Sequence, residues 1–361
     1  MGIQAAGFKA GENRVTLGSR SPLLCSTPMS ATPPKVTTIL LSHNCEQVIG
    51  AALQSVLAQD CEPMEIIVSD DASTDATYAA IERELADYHG PHRVTLRRRA
   101  SNSGSKSAHL NDVLPLASGR CVVSFDGDDI SEPDRVSAIV AEFRADDTVT
   151  AVYSDYAFME AGDRAGARRG VRHPPPGTSP RRWFARVESF ASGATLAIRR
   201  DVVETFGPLE PDINEDVVLP FRASLLGEMR FIDQPLVRVR RWEGSLTAAH
   251  ERFASLETYR AWWRRGINQA RRQLDSRLAD LAAAERLALL EPAELEALRQ
   301  VAIASMAEAE ASGALVGNSL LARLRCFARQ LRPGADPEDL LLAAGLTFAP
   351  NLYQRYKRRK R

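Results

Sequence analysis

Residues 36–75 read VTTILLSHNCEQVIGAALQSVLAQDCEPMEIIVSDDASTD, and this stretch decides the fold. Val36–Leu41 is an unbroken apolar and β-branched run, as expected of a strand covered on both faces. Glu46–Ala58 sets Val48, Ala52, Ser55 and Val56 along one side of a helix. Glu65–Ser69 reads as a second buried strand and Thr74–Tyr88 as a second helix. Working outward, the same texture continues. Strands are expected at Arg93–Arg97, Arg120–Phe125 and Val149–Ser154, and helices at Ser107–Leu116 and Glu132–Arg144. Such alternation predicts an α/β fold with a mixed, mainly parallel sheet flanked by helices. Ligands then bind beyond the carboxyl ends of the strands.

Around this core the texture changes. Residues 1–34 are rich in Gly, Ser, Ala, Thr and Pro and read as a flexible arm ending at Pro33-Pro34. From Ala161 to Arg182, glycines, Pro174-Pro175-Pro176 and arginines predict a long irregular loop. Strand texture returns at Ala194–Ile198 and Met229–Arg241. After Thr247 the chain turns helical to about Leu331. The expected organisation is an arm at 1–34, an α/β domain at 35–247, a C-terminal helical extension at 248–350 and a basic tail at 351–361.

Composition narrows the class. The 361 residues hold 46 basic and 46 acidic side chains, so no global field calls for nucleic acid, and none is expected as a partner. Lysine occurs only at Lys9, Lys35, Lys106, Lys357 and Lys360; every other basic residue is arginine. The five cysteines are scattered without a CxxC pair, which predicts a reducing, cytoplasmic setting and neither disulfides nor a zinc site. No apolar stretch approaches the ~20 residues that span a bilayer.

Polar residues cluster where the strands end: Ser42-His43-Asn44, Asp70-Asp71-Ala72-Ser73-Thr74-Asp75, and Asp126-Gly127-Asp128-Asp129. In the second cluster Ser73 or Asp75 suits a helix N-cap. In the third, residues i and i+2 of an extended chain project to one side, so Asp126 and Asp128 can face one point. Packed carboxylates repel unless a cation neutralises them, and a hard divalent ion with phosphate and water ligands is the expected partner. A solvated acidic turn is the other reading. An EF-hand is excluded, because Ser131 and Ser137 stand where Gly and Glu are required.

These segments, with NSG at 102–104, GRCVVSFDGDD at 119–129, GATLAIRRDVVETFGP at 193–208, NEDVVLPFRASLLG at 214–227 and VRRWEGSLT at 239–247, resemble the family 2 glycosyltransferases. The resemblance covers about residues 36–247. It implies a GT-A fold, a nucleotide-sugar donor, an Mn2+ or Mg2+ cofactor, an inverting mechanism, and a glycan or lipid-linked acceptor. Asp71 falls where the family's second aspartate meets the nucleobase edge. His43, with Asn44 beside it, falls where an aromatic ring stacks on the base. Histidine there, Leu41 for a usual proline and Ala72 for a usual glycine are departures. Lys106 is the candidate diphosphate contact in a segment stretched by one residue. Asp126 and Asp128 match the DxD motif, Asp126 near the ribose and Asp128 on the metal.

Glu215-Asp216 matches the family's Glu-Asp pair, with Asp216 the general base that takes the proton from a sugar hydroxyl. Both residues also suit a helix N-terminus. Pro220 then reads as the first helical residue, after a turn at Asp216–Leu219. Arg222 and Arg241 suit diphosphate or acceptor binding, or a pairing with a nearby acid. Trp242 suits stacking on a sugar or simple packing. Two other classes share some of these features. A haloacid-dehalogenase-type phosphatase also has a strand followed by Asp-x-Asp, and a non-enzymatic polyanion-binding protein would use the arginine-rich loop and tail.

At the C-terminal end, Leu341, Leu342, Leu346, Phe348 and Leu352 precede the basic run Arg355–Arg361. An apolar segment beside basic residues worth ~1 kcal/mol each near an anionic surface suits peripheral membrane contact; a solvated tail after a helix packed on the α/β domain is the other reading. In liposome co-sedimentation the full chain should pellet with anionic vesicles and be released by salt. A chain ending at Asn351 should stay in the supernatant; equal pelleting of the two would remove the membrane contact.

Overall fold

Burial along the whole of β1 (Val36–Ser42) sets the layout, because its side chains alternate between two cores. Ile39 and Leu41 enter one core and Leu40 the other, so the strand reads as an unbroken apolar run. The computed structural model describes residues 36–159, 163–170, 174, 178–187, 192–241 and 256–314.

After β1 come α1 (Ile49–Leu57), β2 (Glu65–Asp70), α2 (Thr77–Ala86), β3 (Arg93–Arg98), α3 (Lys106–Val113) and β4 (Cys121–Asp126). Next are β5 (Ile130–Ser131), α4 (Arg135–Ala145), β6 (Val149–Met159), β7 (Ala165–Arg169), α5 (Pro180–Phe184), β8 (Ala197–Arg199) and α6 (Asp201–Phe206). The series closes with α7 (Glu215–Leu226), β9 (Glu228–Val239), α8 (Leu256–Arg286) and α9 (Pro292–Ala314). Among the described residues the strands form one sheet ordered β3-β2-β1-β4-β8-β6-β9-β5, with β7 paired to β6. Strands β3, β2, β1 and β4 run parallel; β8 runs antiparallel to both β4 and β6. Ser42 is in register with Asp70, and Leu41 with Asp126, so the polar strand ends meet at one edge.

One core lies under α1, α2 and α4, with Ile49, Leu53, Ile81, Val136 and Phe143 against the sheet. The other holds Leu110 and Val113 of α3, Phe221 of α7, Leu281 and Ala284 of α8, and Leu295 and Leu298 of α9. The C-terminal helices therefore share a core with the sheet. Residues 1–35, which hold the expected arm at 1–34, and residues 315–361, which hold the expected basic tail, lie outside the described residues.

Several elements differ from expectation. Helix α1 begins at Ile49 rather than Glu46, because Glu46 is drawn to the β2–α2 loop, where its carboxylate accepts from the Ala76 N–H at 2.7 Å. Within the expected irregular loop, β7 pairs with an extended β6, and Arg168 bridges Asp155 and Asp233. Pro220 does not start α7 but lies inside it, five residues beyond Glu215. The ring sits near enough to the N-terminus that the helix loses one internal bond, from residue 220 to the Asp216 carbonyl, and continues. Among the described residues no helix is long and apolar enough to cross a membrane.

Arg222 and Asp280 tie α7 to α8. The Arg222 Nε lies 3.0 Å from both carboxylate oxygens, and both side chains are buried. Arg222 also donates to the Gly207 carbonyl at 2.7 Å. Removing one member strands the other charge. Arg222→Met should cost about 3 kcal/mol in urea unfolding, and adding Asp280→Leu should recover most of it. An unchanged midpoint in the single variant would show that the pair does not hold the extension.

Candidate active site

The aligned ends of β1, β2 and β4 build the site from loops that brace one another. Asn44, at φ 48°, accepts from the Thr74 N–H at 2.8 Å through its side chain, and its own N–H donates to Ser73 Oγ. Ser73 in turn donates to Asp70, which is fully buried, through both its N–H and its hydroxyl. Asp75 accepts from the N–H and hydroxyl of Thr77, the first residue of α2, but the N-cap position is Ala76, not the expected Ser73 or Asp75.

Asp71 is buried and already engaged. Its carboxylate accepts from the Ser103 N–H at 2.8 Å and the Ser103 hydroxyl at 2.6 Å, and Arg99 Nε lies 3.0 Å away. His43 Nδ1 lies 3.0 Å from the Asp71 carbonyl, which makes that nitrogen the donor. The Asn102 amide nitrogen lies 3.2 Å from both ring nitrogens, so this amide sits against the imidazole. The NSG motif thus closes over both residues that the resemblance assigns to the base.

The acid cluster at the end of β4 is surrounded by cations. Lys106 Nζ, at the start of α3, lies 2.6 Å from Asp126 Oδ1 and 2.9 Å from Glu215 Oε1. Burial pulls the ammonium down, but Asp126 and Glu215 more than offset it and hold Lys106 firmly charged. Gly193 makes room for this bridge: a Cβ there would overlap Glu215 Oε1 and come within 3.2 Å of Lys106 Nζ. Asp128 is partly exposed, and its carbonyl accepts from Arg240 Nε at 3.1 Å. Asp129 is buried and accepts from the Arg240 N–H at 2.9 Å. Burial first, then Asp128 and Asp126, push its carboxyl well above the usual range.

Beneath the cluster Arg135 is fully buried. It donates to Ser131 Oγ and the Ser124 carbonyl and stacks 4.4 Å from the Phe125 ring. Burial lowers it to about 10, against the pull of Asp126 and Asp129. No three His, Cys, Asp or Glu side chains gather into a ready cage among the described residues. What the cluster offers is hard carboxylate oxygen on a turn, which suits an ion that keeps phosphate and water ligands.

Glu215 and Asp216 open α7, behind Asn214. The loop before α7 is fastened to α3: Ser107 Oγ donates to the Ile213 carbonyl at 2.5 Å, and Asn111 exchanges hydrogen bonds with Leu209. The structure thus brings Lys106, Asp126 and Glu215 together, with Asp216 next to Glu215 in the first turn of α7, while His43, Asn44 and Asp71 lie at the neighbouring ends of β1 and β2. Arg222 is not there. Of its two readings, the pairing with an acid is the one realised, far down α7. Arg241 lies 3.6 Å over the Phe158 ring. Trp242 lies outside the described residues. Sequence reasoning missed Ser103, Arg99, Gly193, Arg135 and Arg240. Gly193 heads the GATLAIRR segment and was legible as a close approach; the arginines carry no positional signal in a chain so rich in them.

The sheet order and the strand ends gathered at one edge are those of the GT-A fold. The mannosyltransferase PcManGT from Pyrobaculum calidifontis, in complex with GDP-Man and Mn2+, shares the fold with a TM-score of 0.53 at 20% identity, over 91% of this chain and 84% of that one. Staphylococcus aureus TarS 1-349, in complex with UDP-GlcNAc, gives a TM-score of 0.51 at 18% identity, over 89% and 92% of the two chains. Residues 37–207, just under half of the chain, match the family described as Glycosyl transferase family 2. Relatives include EpsE of Bacillus subtilis, 36% identical over 108 residues, 30% of this chain and 38% of EpsE. The chondroitin synthase of Escherichia coli is 28% identical over 121 residues, 34% of this chain and 17% of that protein. The beta-monoglucosyldiacylglycerol synthase of Synechocystis sp. is 33% identical over 124 residues, 34% of this chain and 26% of that protein. The chain therefore spans well under half of these relatives. These similarities favour neither the phosphatase nor the non-enzymatic reading.

His109 of α3 lies below this site, buried, with Nε2 2.7 Å from Ser69 Oγ. Burial lowers it to about 4, with Arg99 and Arg97 adding to the effect and Asp71 and Asp70 opposing it. The unfolded chain binds a proton near pH 6.5 that the folded chain refuses. Stability should therefore fall as pH drops from about 6.5 towards about 4. In urea titrations His109→Gln should flatten this decline; an equally steep decline would assign it to other groups.

Proposed function

We propose that this protein moves a sugar from a nucleotide-sugar donor to a hydroxyl acceptor with inversion, in the synthesis of a cell-surface polysaccharide or glycolipid. The observation that carries the reading is the Lys106 bridge, which holds the donor-side Asp126 and the acceptor-side Glu215 within 3 Å of one ammonium. One cation there joins the two halves that a transfer reaction must bring together.

Each residue has a distinct task. Asp71, with Ser103 and Asn102 closing over it, and His43 face the base. Asp126 lies towards the ribose, and Lys106 offers positive charge to the diphosphate. Asp128, with Asp126, would hold a divalent cation, which supplies neutralisation of the leaving nucleoside diphosphate when bound. Asp216 accepts the proton of the acceptor hydroxyl. As that oxygen bonds to the anomeric carbon, the bond from carbon to the diphosphate oxygen breaks on the opposite face. Glu215 keeps Lys106 in place. PcManGT is seen with GDP-Man and Mn2+, and TarS with UDP-GlcNAc; these two donors are the first to try here.

A thermal-shift screen of UDP-GlcNAc, GDP-Man and other nucleotide sugars, with Mn2+ or with EDTA, tests the reading. One donor at about a hundred times its Kd should stabilise the chain by about 2.7 kcal/mol, and chelation should remove most of the shift. Asp128→Ala should abolish the metal-dependent part. Asp216→Asn should keep the shift yet lower turnover about a hundred- to ten-thousandfold. No shift with any donor would refute the transferase reading, and wild-type turnover in Asp216→Asn would place the base elsewhere.

A further inference from the structure

The turn that carries Glu215 and Asp216 is weakly held by its own helix. Pro220 has no N–H, so the bond that residue 220 would make to the Asp216 carbonyl is missing, and the ring presses on that carbonyl. At the entry, the N–H groups of Val217 and Val218 both share the Asn214 carbonyl, at 3.1 and 3.2 Å. A turn built this way can rock about its own axis unless something outside it fixes its position.

That outside contact comes from the C-terminal extension. Arg277, in α8, is 1% exposed. Its Nη2 donates to the Val217 carbonyl at 3.0 Å and to the Phe184 carbonyl at 3.2 Å, and its Nε lies 3.3 Å from the same Phe184 oxygen. Nη1 reaches the Gln273 carbonyl at 3.4 Å, and the guanidinium lies 5.3 Å from the Phe221 ring. A carbonyl has two lone pairs, so Val217 can take this donor beside its helical one.

The chemistry of the contact is unusual for a buried cation. Arg222 directs its Nε to both oxygens of the Asp280 carboxylate, whereas Arg277, one turn away from Asp280 and within reach of its field, directs its N–H groups to backbone carbonyls among the described residues. Burying a guanidinium without a carboxylate of its own is costly, and an apolar side chain of similar length would serve packing better. What an apolar side chain would lose is the directed bond to Val217, the residue after Asp216. Gln269, two turns earlier on α8, donates to Asn214 Oδ1 at 2.7 Å, so the extension holds the turn from both ends.

We propose that Arg277 is a positioning residue: its guanidinium, bonded to the Val217 and Phe184 carbonyls, replaces the support that Pro220 removes and fixes where Asp216 meets the acceptor. The inference rests on the reading of Asp216 as the base. It makes the helical extension part of the catalytic apparatus, since α8 supplies the brace for a residue on α7.

A double-mutant cycle on the full chain tests it. Turnover is read as UDP or GDP release from UDP-GlcNAc or GDP-Man with Mn2+, whichever donor the wild type turns over. Arg277→Met should lower kcat about ten- to a hundredfold with the donor KM unchanged. In the Asp216→Asn background the same change should leave the residual rate as it is, because there is no base left to misplace. An equal loss in both backgrounds, or no loss in the first, would overturn the proposal. Where Arg277→Met does not fold, Arg277→Lys carries the same cycle. Hydrogen exchange of the peptide spanning residues 213–219 gives a readout independent of any substrate. Arg277→Met should speed its exchange about tenfold or more while peptides from β1 and β2 stay unchanged, and an unaltered rate would also overturn the brace. If Asp216→Asn alone keeps wild-type turnover, the base reading fails, and the exchange experiment still decides whether Arg277 holds the turn.

Discussion

The parallel register of β1, β2 and β4 is the constraint on which the rest of this structure depends. With Ser42 beside Asp70 and Leu41 beside Asp126, three polar strand ends finish at one level. A one-residue slip in any of these pairings would turn its apolar residues to the wrong core and move its carboxylate away from the edge. The cores enforce the register, because Leu40, Ile66, Val68 and Val123 must all enter one layer while Ile39, Ile67 and Val122 enter the other. Core packing thus places the chemistry.

Bringing carboxylates to one edge creates an electrostatic problem, and the fold answers it with fixed cations. Lys106 bridges Asp126 and Glu215, Arg135 lies buried beneath the cluster, and Arg240 binds the backbone of Asp128 and the side chain of Asp129. Asp129, the most buried of the three neighbouring aspartates, is pushed towards its neutral form. The other two, Asp126 and Asp128, lie partly exposed at the edge. This division leaves a site that favours further positive charge without collapsing in its absence.

The second layer of the molecule is organised around α7. Its outer turns are bound to α8 through Arg222–Asp280 and Arg277, to α5 through Arg181, which donates to the Ser224 carbonyl, and to β6 through Thr150, which donates to the Ala223 carbonyl. Helix α3 reaches the same region through Ser107 and Asn111. The Glu215–Asp216 turn is therefore held by its neighbours more than by its own helical bonds, which follows from having Pro220 inside the helix.

By itself the sequence determined the α/β alternation, the strand ends as the functional edge, and the acidic motifs at Asp126–Asp129 and Glu215–Asp216. These are local properties: apolar runs, turn chemistry and charge spacing act over a few residues. The pairing of β7 with β6, the continuation of α7 through Pro220, and the union of the C-terminal helices with the main core were decided by tertiary structure. So were the partners of the arginines. In a chain whose cations are almost all arginine, nothing local separates Arg222, locked to Asp280, from Arg241, stacked on Phe158. Their roles depend on which carboxylate, carbonyl or ring the folded chain brings within a few ångströms, and those partners lie tens of residues away in sequence.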